Sequence, residues 1–149
     1  MPRAGLGRWV RWSAVNASVS FGADLESTTA ARRFAERTMV DWSVDGERFE
    51  TARLLVSELV ANAVTHAETG VTLQLDLSPE RLRVEVRDEA DGEPRARRPR
   101  HDDPTGRGLM IVDQLADDWG VDQFLPGKIV WFEMASTVRS REPLDRRVP

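Results

Sequence analysis

Residues 71–77 alternate without a break: Val71, Leu73, Leu75 and Leu77 are apolar, and Thr72, Gln74 and Asp76 between them are polar. Period two is the signature of a β-strand, whose successive side chains leave on opposite faces. Ser78-Pro79-Glu80 then supplies turn chemistry, and Leu82, Val84 and Val86 alternate with Arg81, Arg83, Glu85 and Arg87. Two such runs joined by a short turn predict an antiparallel hairpin in which each strand has one face for the core.

Helical spacing flanks the hairpin on both sides. Asp24 and Ser27 are candidate caps for a helix over Thr28 to Trp42, which places Ala31, Phe34, Ala35, Thr38 and Trp42 on one stripe. Asp45-Gly46 breaks that pattern, and a second helix is predicted from about Glu47 through Ala67, closing at Gly70. A third is expected to open at Gly106-Arg107-Gly108, to carry Leu109, Val112, Leu115 and Ala116 at helical spacing, and to end near Trp119-Gly120. Val130, Phe132 and Met134 share one face of a strand running from Lys128 to Met134, and Ala17 to Phe21 reads as a short edge strand.

The remaining segments have no such period. Residues 1–16 form an irregular arm whose Trp9 and Trp12 either pack on the domain or a second copy of it, or belong to a partly ordered terminus. Residues 136–149 are a polar, arginine-rich tail, which leaves residues 17–135 as one domain, in keeping with what a single core can organise in 149 residues.

Composition removes several classes of function. With 21 basic and 25 acidic side chains the formal net charge is −4, so bulk attraction to nucleic acid or anionic lipid is disfavoured. There is no cysteine and only two histidines, which leaves no disulfide framework and no thiolate or polyhistidine zinc site, and fits a reducing cytoplasm. No apolar run reaches the roughly 20 residues of a membrane helix, and the first residues lack the apolar core of a signal peptide, so a soluble, cytoplasmic protein is expected.

The second helix carries the most pointed pattern. Glu58, Asn62 and His66 recur every fourth residue, so successive members lie about 40° apart and form one polar stripe. Val56, Leu59, Val60, Ala63 and Val64 occupy the adjoining arc, which puts the stripe at the edge of the buried face, where a cleft can open. Magnesium favours hard oxygen ligands and commonly bridges one or two of them to phosphates, a role that suits the Asn62 amide oxygen. Glu58 is then free to serve as general base near a terminal phosphate. Taken alone, the spacing favours the plainer arrangement, a solvated Glu58 and an Asn62 that only bonds a neighbouring loop.

Two other features converge on a nucleotide. The alternation that turns Leu82, Val84 and Val86 inward also turns Asp88 inward, and a carboxylate there needs a donor. The exocyclic amine of adenine is such a donor, whereas guanine presents a carbonyl; the alternative is that Asp88 caps the following loop. Gly106 and Gly108 at a helix start let backbone N–H groups approach phosphate oxygens. Between these features lies a proline-punctuated loop with Arg95, Arg97, Arg98, Arg100 and His101, followed by Arg107; it is either a lid over a triphosphate or an ordinary solvated loop.

In this order the motifs resemble the GHKL (histidine-kinase-like) ATPase superfamily, and within it the anti-sigma-factor serine kinases of the RsbW and SpoIIAB type. Ser57-Glu58-Leu59-Val60-Ala61-Asn62-Ala63-Val64-Thr65-His66-Ala67 is similar to that family's N box, Val86-Arg87-Asp88 to the start of its first glycine box, Gly106-Arg107-Gly108-Leu109 to its second, and Val130-Trp131-Phe132 to its closing strand. The resemblance implies an α/β (α+β) sandwich, the Bergerat fold, with a mixed, mostly antiparallel sheet and helices on one face. It also implies ATP and Mg2+ as cofactors, with Glu58 as base, Asn62 as magnesium ligand, and His66, Asp88, Gly92, Gly106, Arg107, Gly108 and Leu109 around the nucleotide. The implied partners are a sigma factor and a protein antagonist phosphorylated on serine, with a homodimer possible and no direct contact with nucleic acid or membrane. One position departs from the family: D-x-G-x-G reads Asp88-Glu89-Ala90-Asp91-Gly92, with alanine at the third place.

Overall fold

The computed structural model describes residues 15–44, 46–67, 70–89, 104–124 and 127–136. The elements run β1 (Val15–Phe21), α1 (Leu25–Asp41), α2 (Gly46–His66), β2 (Gly70–Leu77), β3 (Arg81–Glu89), α3 (Pro104–Leu115), β4 (Asp118–Phe124) and β5 (Gly127–Ala135). The strands make one sheet in the order β1-β2-β3-β5-β4, and all four pairings are antiparallel, so the sheet expected to be mixed has no parallel pair among the described residues.

The predicted hairpin forms in the register its alternation requires. Leu77 faces Leu82, Leu75 faces Val84 and Leu73 faces Val86. The turn is closed by the Ser78 amide donating to the Arg81 carbonyl at 2.9 Å and by the Arg81 amide donating to Ser78 Oγ at 3.1 Å. β5 then extends the apolar face, with Phe132 beside Val84 and Val130 beside Val86. Leu73, Leu75, Val84, Val86 and Phe132 are all buried there against Leu55, Val56, Leu59 and Val60 of α2. Each such side chain contributes about 1.5–3 kcal/mol by leaving water. Ala31 and Ala35 of α1 are buried too, and their small side chains let α1 lie close along α2. The result is a two-layer α/β sandwich with its core between one helical layer and one face of the sheet.

The opposite face is polar and held by ions. Arg83 lies over the Trp131 ring, 4.2 Å from its centroid, and pairs with Glu85 at 2.8 Å and Glu133 at 2.9 Å, while Arg81 also pairs with Glu133. Burial by itself lowers the Arg83 pKa, but the hydrogen bonds and charges of Glu85 and Glu133 outweigh it and raise the guanidinium above its ordinary value. Trp131 lies against Gly120, its Cα partner on β4; a Cβ at position 120 would stand 2.7 Å from Trp131 Cζ2. That close approach requires glycine.

The helix ends are built from side chains and turn geometry. Asp24 caps α1, accepting the Ser27 amide hydrogen at 2.9 Å. At the other end the Val44 amide donates to Met39 O at 2.9 Å and the Ser43 amide to Val40 O at 3.0 Å, a Schellman closure. Ser43 takes the left-handed position with φ 59°, and Val44 and Met39 are both buried beneath it.

Several boundaries differ from the expected ones. α3 begins at Pro104, so Gly106-Arg107-Gly108 lies inside its first turns; proline is well suited to a first helical position, its φ already set and its missing N–H not needed. α3 also stops at Leu115, and residues 118–124 form the edge strand β4 in place of the predicted last helical turn. Pairing with β5 sets that boundary: Trp119 and Val121 face Phe132 and Val130. The Asp117 amide donates to Glu133 O at 3.0 Å, and the Ala135 amide donates to Asp117 Oδ2. β1 starts at Val15, two residues before the expected strand.

Candidate functional site

α2, β2 and β3 bring the sequence-predicted residues to one end of the sheet. β2 follows α2 in the chain, and the first residues of β2 lie beside the last residues of β3, where Val71 is the Cα partner of Asp88. The cross-sheet row formed by Val19, Leu73, Val86, Val130 and Val121 is apolar. The next row toward this end reads Phe21, Val71, Asp88, Lys128 and Gln123, so its β3, β5 and β4 positions are polar.

Asn62 stands where the helical stripe predicts, with Val56, Leu59, Val60 and Ala63 buried beside it. It is 7% exposed, and its Oδ1 is buried without a hydrogen-bond partner among the described residues. An orphaned carbonyl of this kind costs about 1–3 kcal/mol. Only one other side-chain atom among the described residues shares this condition, Trp131 Nε1, which belongs to the opposite face and the contact with Gly120. An oxygen that needs a partner, at the end of the sheet where the polar residues gather, fits a ligand for a hard cation. Glu58, one turn earlier, is half-buried. The neighbouring hydroxyls are spent on the helix itself: Ser57 Oγ donates to Arg53 O at 3.0 Å and Thr65 Oγ1 to Ala61 O at 2.8 Å.

Asp88 is 5% exposed and is not left without a donor. Its Oδ1 accepts the Lys128 amide hydrogen at 3.2 Å, and the Lys128 ammonium stands 4.0 Å from Oδ2. The carboxylate is therefore fixed through one oxygen, while the other has, among the described residues, a single, long ionic contact. Lys128 did not enter the predicted site. Its signal was the alternation of Val130, Phe132 and Met134: two residues earlier, the same period puts Lys128 on the core face.

Leu109 is partly buried and packs against the core together with Ile111, while Leu115, expected on the same stripe, is 44% exposed at the helix end. Gly106, Arg107 and Gly108 lie in the first turns of α3, and His66 is the last residue of α2; the side chains of Arg107 and His66 lie outside the described residues. So do Ala90, Gly92, Arg95, Arg97, Arg98, Arg100 and His101, and the Trp9 and Trp12 arm.

A shallow groove of about 550 Å³ crosses the outer surface of the helices between Arg32 and Glu36 of α1, Arg53 and Leu54 of α2, and Leu115 of α3. It includes none of Glu58, Asn62 and Asp88, and Arg53 spans part of it in ion pairs with Glu36 and Glu50. Among the described residues no helix is long and apolar enough to cross a membrane.

Residues 21–134 match the model of the histidine kinase-like ATPase domain. No curated protein matches the chain. Among solved structures, the RsbU and RsbW domains of Rv1364c from Mycobacterium tuberculosis align with a TM-score of 0.64 and 16% identity, over 82% of this chain and 33% of that one. The present chain thus spans about a third of that neighbour's length, and at this identity the likeness is one of fold.

Proposed function

Because the chain belongs to the histidine kinase-like ATPase family, we propose that it binds Mg-ATP through Asn62, Asp88 and the first turns of α3, and that it is a serine-protein kinase of the anti-sigma-factor type. The observation that carries this reading is the buried Oδ1 of Asn62, which has no hydrogen-bond partner among the described residues. It lies one helical turn from the half-buried carboxylate of Glu58, at the same end of the sheet as Asp88.

Each residue has a separate task. Asp88 accepts a hydrogen bond from the adenine amine through Oδ2, since Oδ1 is taken by the Lys128 amide. Asn62 offers its oxygen to magnesium, which supplies charge neutralisation at the phosphates. Backbone N–H groups left free at the start of α3, those of Thr105 and Gly106, face the phosphates with the positive end of the helix dipole behind them. Glu58 takes the proton of an attacking serine hydroxyl on a protein antagonist. The serine oxygen bonds to the γ-phosphorus as the bond to the bridging oxygen of ADP breaks. His66, Gly92, Arg107 and Leu109 complete the surroundings of the nucleotide in this reading, and a sigma factor held by the protein is released or retained according to the antagonist's phosphorylation. The cytoplasm, where ATP and such partners meet, is the compartment it implies.

A second reading is favoured by Ala90, which stands where the family's first glycine box has glycine. If a side chain there limits how the backbone approaches the base, the protein is a nucleotide-dependent binding module that captures a partner without useful transfer. Incubation with γ-labelled ATP and candidate antagonist proteins, wild type against Glu58→Ala, separates the two. Label on the antagonist with wild type only supports the kinase; ATP binding without label in either supports the module.

A further inference from the structure

Lys128 has no part in the family motifs, yet it pairs with the residue assigned to the base. Asp88 and Lys128 are Cα partners across β3 and β5, both on the core face, one row beyond the last apolar row. The pair is tied through the backbone as well as through charge: the Lys128 amide donates to Asp88 Oδ1, and its ammonium stands 4.0 Å from Oδ2. The Lys128 side chain is about one-third exposed, against 7% for that of Asp88, so the ammonium lies toward the open end of this corner.

An aspartate alone presents only acceptors, whereas an ammonium presents three donors and no acceptor. Together Oδ2 and Nζ form a neighbouring acceptor and donor. The Watson–Crick edge of adenine has the matching order, with the exocyclic amine as donor and the ring nitrogen N1 beside it as acceptor. Guanine has the reverse order, a carbonyl and an N1–H, so it meets the pair out of register. Sliding guanine into register would require the carboxylate to move, and Oδ1 is held by the Lys128 amide. Sites built to pair with specific donors and acceptors discriminate strongly against bases that leave those groups unpaired.

We propose that Lys128 is a second base-reading residue, whose ammonium donates to adenine N1 while Asp88 Oδ2 accepts from the exocyclic amine. This inference rests on the assignment of Asp88 to adenine. Its test is a calorimetric titration of wild type, Lys128→Met and Lys128→Arg with Mg-ATP and with Mg-1-deaza-ATP, in which N1 is replaced by C–H. Wild type should prefer ATP by about tenfold, the worth of one charge-assisted hydrogen bond. Lys128→Met should bind both nucleotides with equal affinity, near that of wild type for the deaza compound, and Lys128→Arg should recover part of the preference. Both substitutions keep the backbone amide that holds Asp88, and unchanged unfolding midpoints would verify that the fold is intact. An equal preference in wild type and Lys128→Met overturns the role of Lys128 while leaving ATP binding standing. A wild type that binds neither nucleotide overturns the underlying assignment and this inference with it.

Discussion

Among the described residues, Asp88 receives one close hydrogen bond, from the backbone of Lys128 at 3.2 Å across β3 and β5. An asparagine at position 88 can keep that bond through its own Oδ1 while placing an NH2 where Oδ2 now stands. Asp88→Asn is therefore predicted to leave the unfolding midpoint almost unchanged and to weaken discrimination between Mg-ATP and Mg-GTP. Parallel titrations check it. Undiminished discrimination would remove Asp88 from the base.

Glu58→Gln removes the proton acceptor and preserves shape. Transfer of label from γ-labelled ATP should fall by about 10²–10⁴-fold, the usual worth of a general base, with Mg-ATP affinity changed by only a few-fold. Loss of affinity and rate together would point to a binding role instead.

Ser43 carries the left-handed turn that ends α1, with φ 59°. A side chain in that region is strained, and glycine relieves the strain at the cost of a more flexible unfolded chain. Ser43→Gly should raise stability by about 1 kcal/mol, read from the urea midpoint. A fall in the midpoint would mean that the serine side chain stabilises the turn.

Gly120 and Trp131 give a coupled prediction on the polar face of the sheet. Gly120→Ala sets a Cβ 2.7 Å from the indole, which is also stacked under Arg83, and should cost about 1–3 kcal/mol. In a Trp131→Leu background the same change should cost much less. Equal costs in both backgrounds would show that the strain lies elsewhere.

These residues also show what could be read from the chain beforehand. The β2–β3 hairpin was legible because Val71, Leu73 and Leu75 and then Leu82, Val84 and Val86 repeat a period that only a strand satisfies. The polar stripe of α2 was legible by the same reasoning at helical period. The end of α3 was not: Leu115 and Ala116 continue the helical spacing, and β4 has only Trp119 and Val121 to mark its inner face. Its antiparallel pairing with β5, the next strand along the chain, decides the matter. Lys128 was passed over because a charged residue at a strand start ordinarily faces water. The register against Asp88 gives it a different neighbour. For Asn62, spacing located the side chain, but only packing reveals that its oxygen has no partner.

That oxygen is where the account is most exposed to test. Asn62→Ala removes a buried carbonyl that makes no hydrogen bond among the described residues, so the folded state should lose little, within about 1 kcal/mol. The decisive measurement is the calorimetric affinity for ATP with and without magnesium, in wild type and Asn62→Ala. Magnesium should strengthen binding to wild type by at least about tenfold and have no such effect on the variant. Equal strengthening in both proteins, or no ATP binding by wild type under either condition, would contradict it.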